Sequence, residues 1–200
     1  MIRRSLLGGA LAFAGCSVMP PAPYVEKHDW PLTAARLATL PSPPSGPVLL
    51  VRTLRAAPGL DARGLRTIRP DGSTTVDFYE QWSAPPPLAV EDALRRWLAG
   101  SGAFAAVLAP GSRLSADFVL EGELTALWFD QRRDLVRVAI AILLLAPAAP
   151  RKRVLLQRSF AAEARPAGSG AAAIVAATRQ ALAAVFSAIE SALAAAVSVK

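Results

Sequence analysis

The spacing of apolar positions changes several times along the chain, and each change marks an element. VLLVRTL (48–54) is a short apolar run with a β-branched start, as expected of a buried strand. Pro58-Gly59 and Asp61 then signal a loop, and Gly64 to Ile68 a brief second strand. Asp71-Gly72 is a turn signal. TTVDFYEQW (74–82) follows it, alternating Val76, Phe78 and Glu80 against Asp77, Tyr79 and Gln81, which is the pattern of a hairpin. Pro85-Pro86-Pro87 stops the sheet pattern, and proline is welcome in a first helical turn. Val90, Leu94, Trp97, Leu98 and Ala105 recur at helical spacing, with Glu91 and Asp92 expected in the first turn and an end near Gly100 or Gly102.

Three longer strands are expected next. ADFVLEGELTALWF (116–129) alternates Phe118, Leu120, Gly122, Leu124 and Ala126 against Val119, Glu121, Glu123 and Thr125. DLVRVAIAILLLA (134–146) and RVLLQRSFAAEA (153–164) are the others. The apolar run from Val138 is far short of the roughly 20 residues a membrane helix needs, so it reads as the central strand. Gly168 to Gly170 break the chain before an alanine-rich helix over 171–197, with Ile174, Thr178, Leu182, Val185, Ile189 and Leu193 on one face. The order β-β-α-β-β-β-α predicts an α+β fold: an antiparallel sheet of four to five strands with two helices packed on one face.

The N-terminus has a different grammar. Arg3 and Arg4 precede an apolar stretch, Ser5 to Phe13, of signal-peptide length. Small residues Ala14 and Gly15 follow, then Cys16, the only cysteine. Phe13-Ala14-Gly15-Cys16 resembles the lipobox of bacterial lipoproteins, although leucine is usual where Phe13 stands. The resemblance implies cleavage before Cys16, a diacylglycerol on its thiol and acylation of its new amine, and two or more chains anchor stably. An ordinary secretory signal that happens to contain a cysteine is the alternative. Ser17 after the cysteine, by the sorting habit of such proteins, points to the periplasmic face of the outer membrane, with the inner membrane as the other option.

Residues 17–47 hold eight prolines and are expected to be extended and poor in helix. Tyr24-Val25 and Trp30-Pro31-Leu32 interrupt them and are candidates for an edge strand. Three segments follow: a signal peptide over 1–15, an acylated cysteine with a proline-rich tether over 16–47, and a folded domain over 48–200.

Charge and chemistry narrow the function classes. The formal net charge is +7, which falls to about +5 if Arg3 and Arg4 leave with the signal, since 20 basic residues then face 15 acidic ones. One cysteine cannot make an internal disulfide, and one histidine argues against a histidine-based metal cluster or triad. Glu26, His28 and Asp29 have ligand chemistry but sit in the proline-rich segment with no second histidine near. Glu121 and Glu123 share a strand face, where solvation explains them better than acid–base work. Ser101 and Ser112 lack a nucleophile-elbow pattern, and no phosphate-binding glycine loop is present. No enzyme activity, cofactor or metal is expected. Arg132-Arg133 and Arg151-Lys152-Arg153 fall in consecutive turns, at opposite ends of a meander. Anionic lipid headgroups are a more plausible partner for them than nucleic acid, and solvated turns are the plain reading.

VLLVRTLRAAPGLDARGLRTIRPDGSTTVDFYEQWSAPPPLAVEDALRRWL (48–98) carries a further resemblance. It resembles the ABC-type transport auxiliary lipoprotein family, with Tyr79, Gln81 and Trp82 standing in that family's aromatic passage before a helix. Pro85-Pro86-Pro87 replaces the usual acidic link, and YVEKHDWPL replaces a tyrosine-rich first strand. The resemblance implies an auxiliary role beside an ABC permease and ATPase and an MCE-domain periplasmic protein, in systems that move lipid between the inner and outer membranes. It also implies assembly of identical chains into a ring. Tyr79, Gln81 and Trp82 become candidate partner contacts, although for Trp82, at a strand-to-helix corner, a core position is the preferred reading over an interface.

Overall fold

The computed structural model describes residues 24–147 and 153–198. Nine strands form one sheet: β1 (His28–Trp30), β2 (Val48–Val51), β3 (Arg55–Ala56), β4 (Gly64–Ile68), β5 (Thr74–Trp82), β6 (Ala106–Leu108), β7 (Phe118–Asp130), β8 (Leu135–Ala146) and β9 (Arg153–Ala164). Two helices, α1 (Pro86–Ala99) and α2 (Ala171–Ser198), pack over one face. The α+β class and the helix pair match expectation. The sheet does not: it has nine strands rather than four to five, and it is mixed rather than antiparallel.

β7 explains the difference. One of its edges pairs antiparallel with β8 along nearly its whole length, and β8 pairs antiparallel with β9. Its other edge takes three short strands in tandem, all parallel: β2 beside Phe118–Leu120, β3 beside Glu123-Leu124 and β4 beside Phe129-Asp130. β6 adds parallel to β2, β5 antiparallel to β4, and β1 parallel to β5. Parallel neighbours require a crossover connection, and α1 is part of it. Grouped strands separated by one helix predict hairpins throughout. The helix instead carries the chain back so that β6 and β7 run alongside β2.

A bulge at Thr125 resets the alternation in β7. Leu124 pairs with Ile140, but Ala126 pairs with Ala139. Phe118, Leu120 and Leu124 therefore face the helices, and beyond the bulge Leu127 takes over that face. Ala126 turns to the opposite face, contrary to the uninterrupted alternation expected.

α1 begins at Pro86, so Glu91 and Asp92 lie in its second turn rather than its first. The Glu91 carboxylate accepts the Leu54 N–H at 3.1 Å instead, and Asp92 pairs with Arg95 and Arg96. Gly100 ends the helix, which leaves Ala105 outside it, just before β6. α2 is long and apolar enough to cross a membrane by length and composition, with a mean hydropathy of 1.8. Here it lies along β8 and β9, burying Leu182, Val185, Phe186, Ile189 and Leu193. Each fully buried side chain of this size contributes about 1.5–3 kcal/mol relative to exposure.

The chain enters the fold before Val48. β1 pairs with β5, Leu32 is buried in the core, and Leu40 bridges to Ser101. Part of the proline-rich stretch thus forms a strap across the helical layer.

Candidate docking surfaces

The passage from Tyr79 to Trp82 lies at a distortion in the β4–β5 hairpin. Val76 pairs with Arg66 and Gln81 with Gly64, so Asp77 to Glu80 stand opposite Leu65 alone. The backbone N–H groups of Tyr79 and Glu80 donate to Asp77 Oδ1 at 2.8 and 2.9 Å, which satisfies donors the ladder has lost. Gly64 permits the close approach, because a Cβ there would lie 2.0 Å from the Asp77 carbonyl oxygen. The distortion pushes Phe78 and Tyr79 outward, to 66% and 41% exposure. Their rings meet edge to face at 5.2 Å, and Lys27 Nζ sits 3.6 Å from the Phe78 ring centre.

The three candidate residues therefore do different things. Trp82 is 3% exposed and belongs to the core. Its N–H donates to the Arg63 carbonyl at 2.7 Å, and Arg63 Nε donates to the Trp82 carbonyl at 2.8 Å. Gln81 is half-buried between β1 and β4. Tyr79 alone of the three is a surface group, and its more exposed neighbour Phe78 is not marked as a contact by the sequence, since alternation gives no sign of the distortion.

The strap from His28 to Leu40 is held at both ends by charged groups. At the first, one Glu80 carboxylate takes His28 Nδ1 at 2.8 Å and the Trp30 indole N–H at 2.6 Å, and Arg63 pairs with Asp29 at 2.6 Å. Glu80, chiefly through that hydrogen bond, holds the His28 imidazole above its ordinary pKa. Glu26, His28 and Asp29 do not converge. Among the described residues, no group of three or more His, Cys, Asp or Glu side chains could hold a metal ion.

Further along, Arg179 donates to the Pro31 carbonyl at 2.7 and 3.1 Å. Arg36 then grips Glu190 with two hydrogen bonds at 2.5 and 2.9 Å, and the Trp97 indole N–H donates to the same carboxylate at 2.7 Å. The Arg36 bond, above all, holds the Glu190 carboxyl below its ordinary pKa.

The sheet face away from the helices carries a shallow depression of about 800 Å³, lined by Arg52, Arg55, Glu121, Glu123, Leu143 and Gln157 among others. Glu121 pairs with Arg52 at 2.7 Å. The two carboxylates do share this face, as their spacing predicted.

Arg132 and Arg133 lie in the β7–β8 turn. Arg133 pairs with Glu163 at 3.1 Å and Arg137 pairs with it at 2.9 Å, which lowers the Glu163 pKa, Arg137 being the larger influence. Arg153 opens β9 at the opposite end, paired in register with Ala146. Arg151, Lys152 and Cys16 lie outside the described residues.

With this architecture in view, the comparisons decide the family. The family model for the ABC-type transport auxiliary lipoprotein component matches residues 31–190. The chain belongs to that family. The match includes the strap from Pro31 onward, strands β2 to β9, α1 and most of α2. Among solved structures, protein XCC0632 from Xanthomonas campestris, assigned to the family DUF330, is 25% identical with a TM-score of 0.69, over 82% of this chain and 94% of that one. An uncharacterized protein is 16% identical with a TM-score of 0.66, over 84% of this chain and 99% of that one. Protein CT253 from Chlamydia trachomatis is 12% identical with a TM-score of 0.55, over 78% and 100%. The last two share the fold. No curated protein matches the chain. Membership makes the chain an auxiliary lipoprotein of an ABC-type transport system, held at a membrane of the cell envelope.

Proposed function

We propose that this auxiliary lipoprotein serves an MCE-type ABC system that moves lipid between the inner and outer membranes. In this reading acylated Cys16 anchors it on the periplasmic face of the outer membrane, and it works by docking partners rather than by catalysis. The observation that carries the reading is the family match over 31–190, preceded by Ala14-Gly15-Cys16. The sheet face away from the helices supports it, offering a shallow depression lined by both basic and acidic side chains, Arg52, Arg55, Glu121 and Glu123.

Copurification from the native host tests the reading. A tagged chain should bring down an MCE-domain protein together with its permease and ATPase. Repeated absence of those partners, with outer-membrane lipid balance unchanged on deletion, would favour a structural envelope lipoprotein instead. Cys16→Ser should leave the chain unprocessed or move it out of the membrane fraction; normal maturation and fractionation of that variant would remove the anchor from the account.

A further inference from the structure

We infer that the outward face of the β4–β5 hairpin, built by Val76, Phe78 and Tyr79, rests on the bilayer that holds the anchor. The inference depends on acylation at Cys16. Three observations lead to it.

The first is where the chain leaves the domain. β1 runs parallel to β5, so the polypeptide before His28 heads back toward the start of β5. Thr74 pairs with Ile68, and Ile68 with Asp130, so that end of the sheet carries the β4–β5 and β7–β8 turns. Lys27 beside Phe78 marks the same path. Toward the N-terminus the described chain therefore passes the patch at Lys27, where Val76, Phe78 and Tyr79 are 44%, 66% and 41% exposed.

The second is length. Cys16 precedes Tyr24 by eight positions, and eight residues span at most roughly 28 Å when fully extended. A strand of 12 residues such as β8 is about 40 Å long. So short a link cannot reach a membrane beyond the opposite end of an upright sheet, where Arg153 lies. It separates the two basic clusters: only Arg132 and Arg133 are on the anchored side.

The third is chemistry. An exposed Phe–Tyr pair flanked by a lysine is suited to the headgroup boundary, where aromatic rings bury their apolar bodies and cations meet phosphate. Nearby acidic groups are engaged locally: Asp71 with Ser73, Asp77 with backbone N–H groups, and Glu80 with His28 and Trp30. Hydrogen bonds from neutral donors do not cancel a carboxylate's charge, so Asp71 and Asp77 offset Lys27, and the docking rests on the rings more than on anionic lipid.

Nitroxide accessibility on the acylated full-length chain tests the inference. In vesicles of phosphatidylethanolamine and phosphatidylglycerol, a thioether occupies the sulfur of Cys16, so a label goes only to an introduced cysteine. The label at Val76→Cys should gain several-fold in oxygen over nickel-reagent accessibility when vesicles are present. The label at Val154→Cys, near the opposite end, should not. Adding Phe78→Ser and Tyr79→Ser should return the first label to its aqueous value. If the chain sediments with vesicles but both labels stay equally aqueous, the docking is wrong and the anchor stands. Shielding of Val76→Cys from both reagents without vesicles would mark a protein contact and overturn the proposal. A chain that does not sediment with vesicles overturns the anchor and the docking together.

Discussion

Arg36 and Glu190, 154 positions apart, form a two-bond ion pair that ties the N-terminal strap to the last helix. Both side chains are largely shielded, at 18% and 21% exposure. The Trp97 indole donates to the same carboxylate, and the Arg36 guanidinium lies 5.1 Å from the Trp97 ring centre. Glu190→Ala would strand an arginine and an indole N–H, and should cost about 2 kcal/mol in urea unfolding. Arg36→Ala with Glu190→Ala should cost less than the sum of the two single changes. Strict additivity would show that the pair is not coupled.

The two ends of the strap should respond to pH in opposite senses. His28 titrates above its ordinary 6.5, so its pairing with Glu80 stabilises fully below 6.5 and is lost as pH rises through the folded value. Glu190 titrates below its ordinary 4.5, so its contribution is present above 4.5 and is lost as pH falls through the folded value. Hydrogen exchange, corrected for intrinsic rates, should loosen around His28–Trp30 on the alkaline side and around Arg36 on the acid side. Glu80→Gln should abolish the first response and Glu190→Gln the second. A single response shared by both ends would contradict this.

Gly64 and Gly122 should differ in tolerance for alanine. At Gly64 the new Cβ would meet backbone, the Asp77 carbonyl oxygen at 2.0 Å, and at Gly122 the end of a side chain, Leu54 Cδ1 at 2.5 Å. A leucine can rotate away, whereas the hairpin backbone would have to move. Gly64→Ala should therefore lower stability by about 1–3 kcal/mol and shift the Phe78 and Tyr79 resonances. Gly122→Ala should cost less and leave those rings unchanged.

Trp82 and Tyr79 should separate cleanly under truncation. Trp82→Ala opens a cavity in the core and should cost about 3–5 kcal/mol in thermal or denaturant unfolding. Tyr79→Ala removes an exposed ring and should stay within about 0.5 kcal/mol. Similar losses at both sites would place Tyr79 in the fold rather than on its surface.

Much of the architecture was legible because it is local. α1, α2 and the strands β7 to β9 each repeat their apolar positions often enough to declare their type, and Asp71-Gly72 declared the hairpin. The passage Tyr79-Glu80-Gln81-Trp82 pointed to the family that the match over 31–190 establishes. The candidate surface was half legible: Tyr79 was singled out, Phe78 was not.

Tertiary structure decided the rest. β1, β3 and β6 have only two or three residues each, too few for any period, and exist because β5, β7 and β2 offer them backbone partners from far along the chain. The parallel pairings, the Thr125 bulge and the crossing of the strap over α1 and α2 depend on those distant partners in the same way. A hydrophobic period reports which side of a residue is buried. It says nothing of which neighbour does the burying, and that choice is made only when the whole sheet closes around its core.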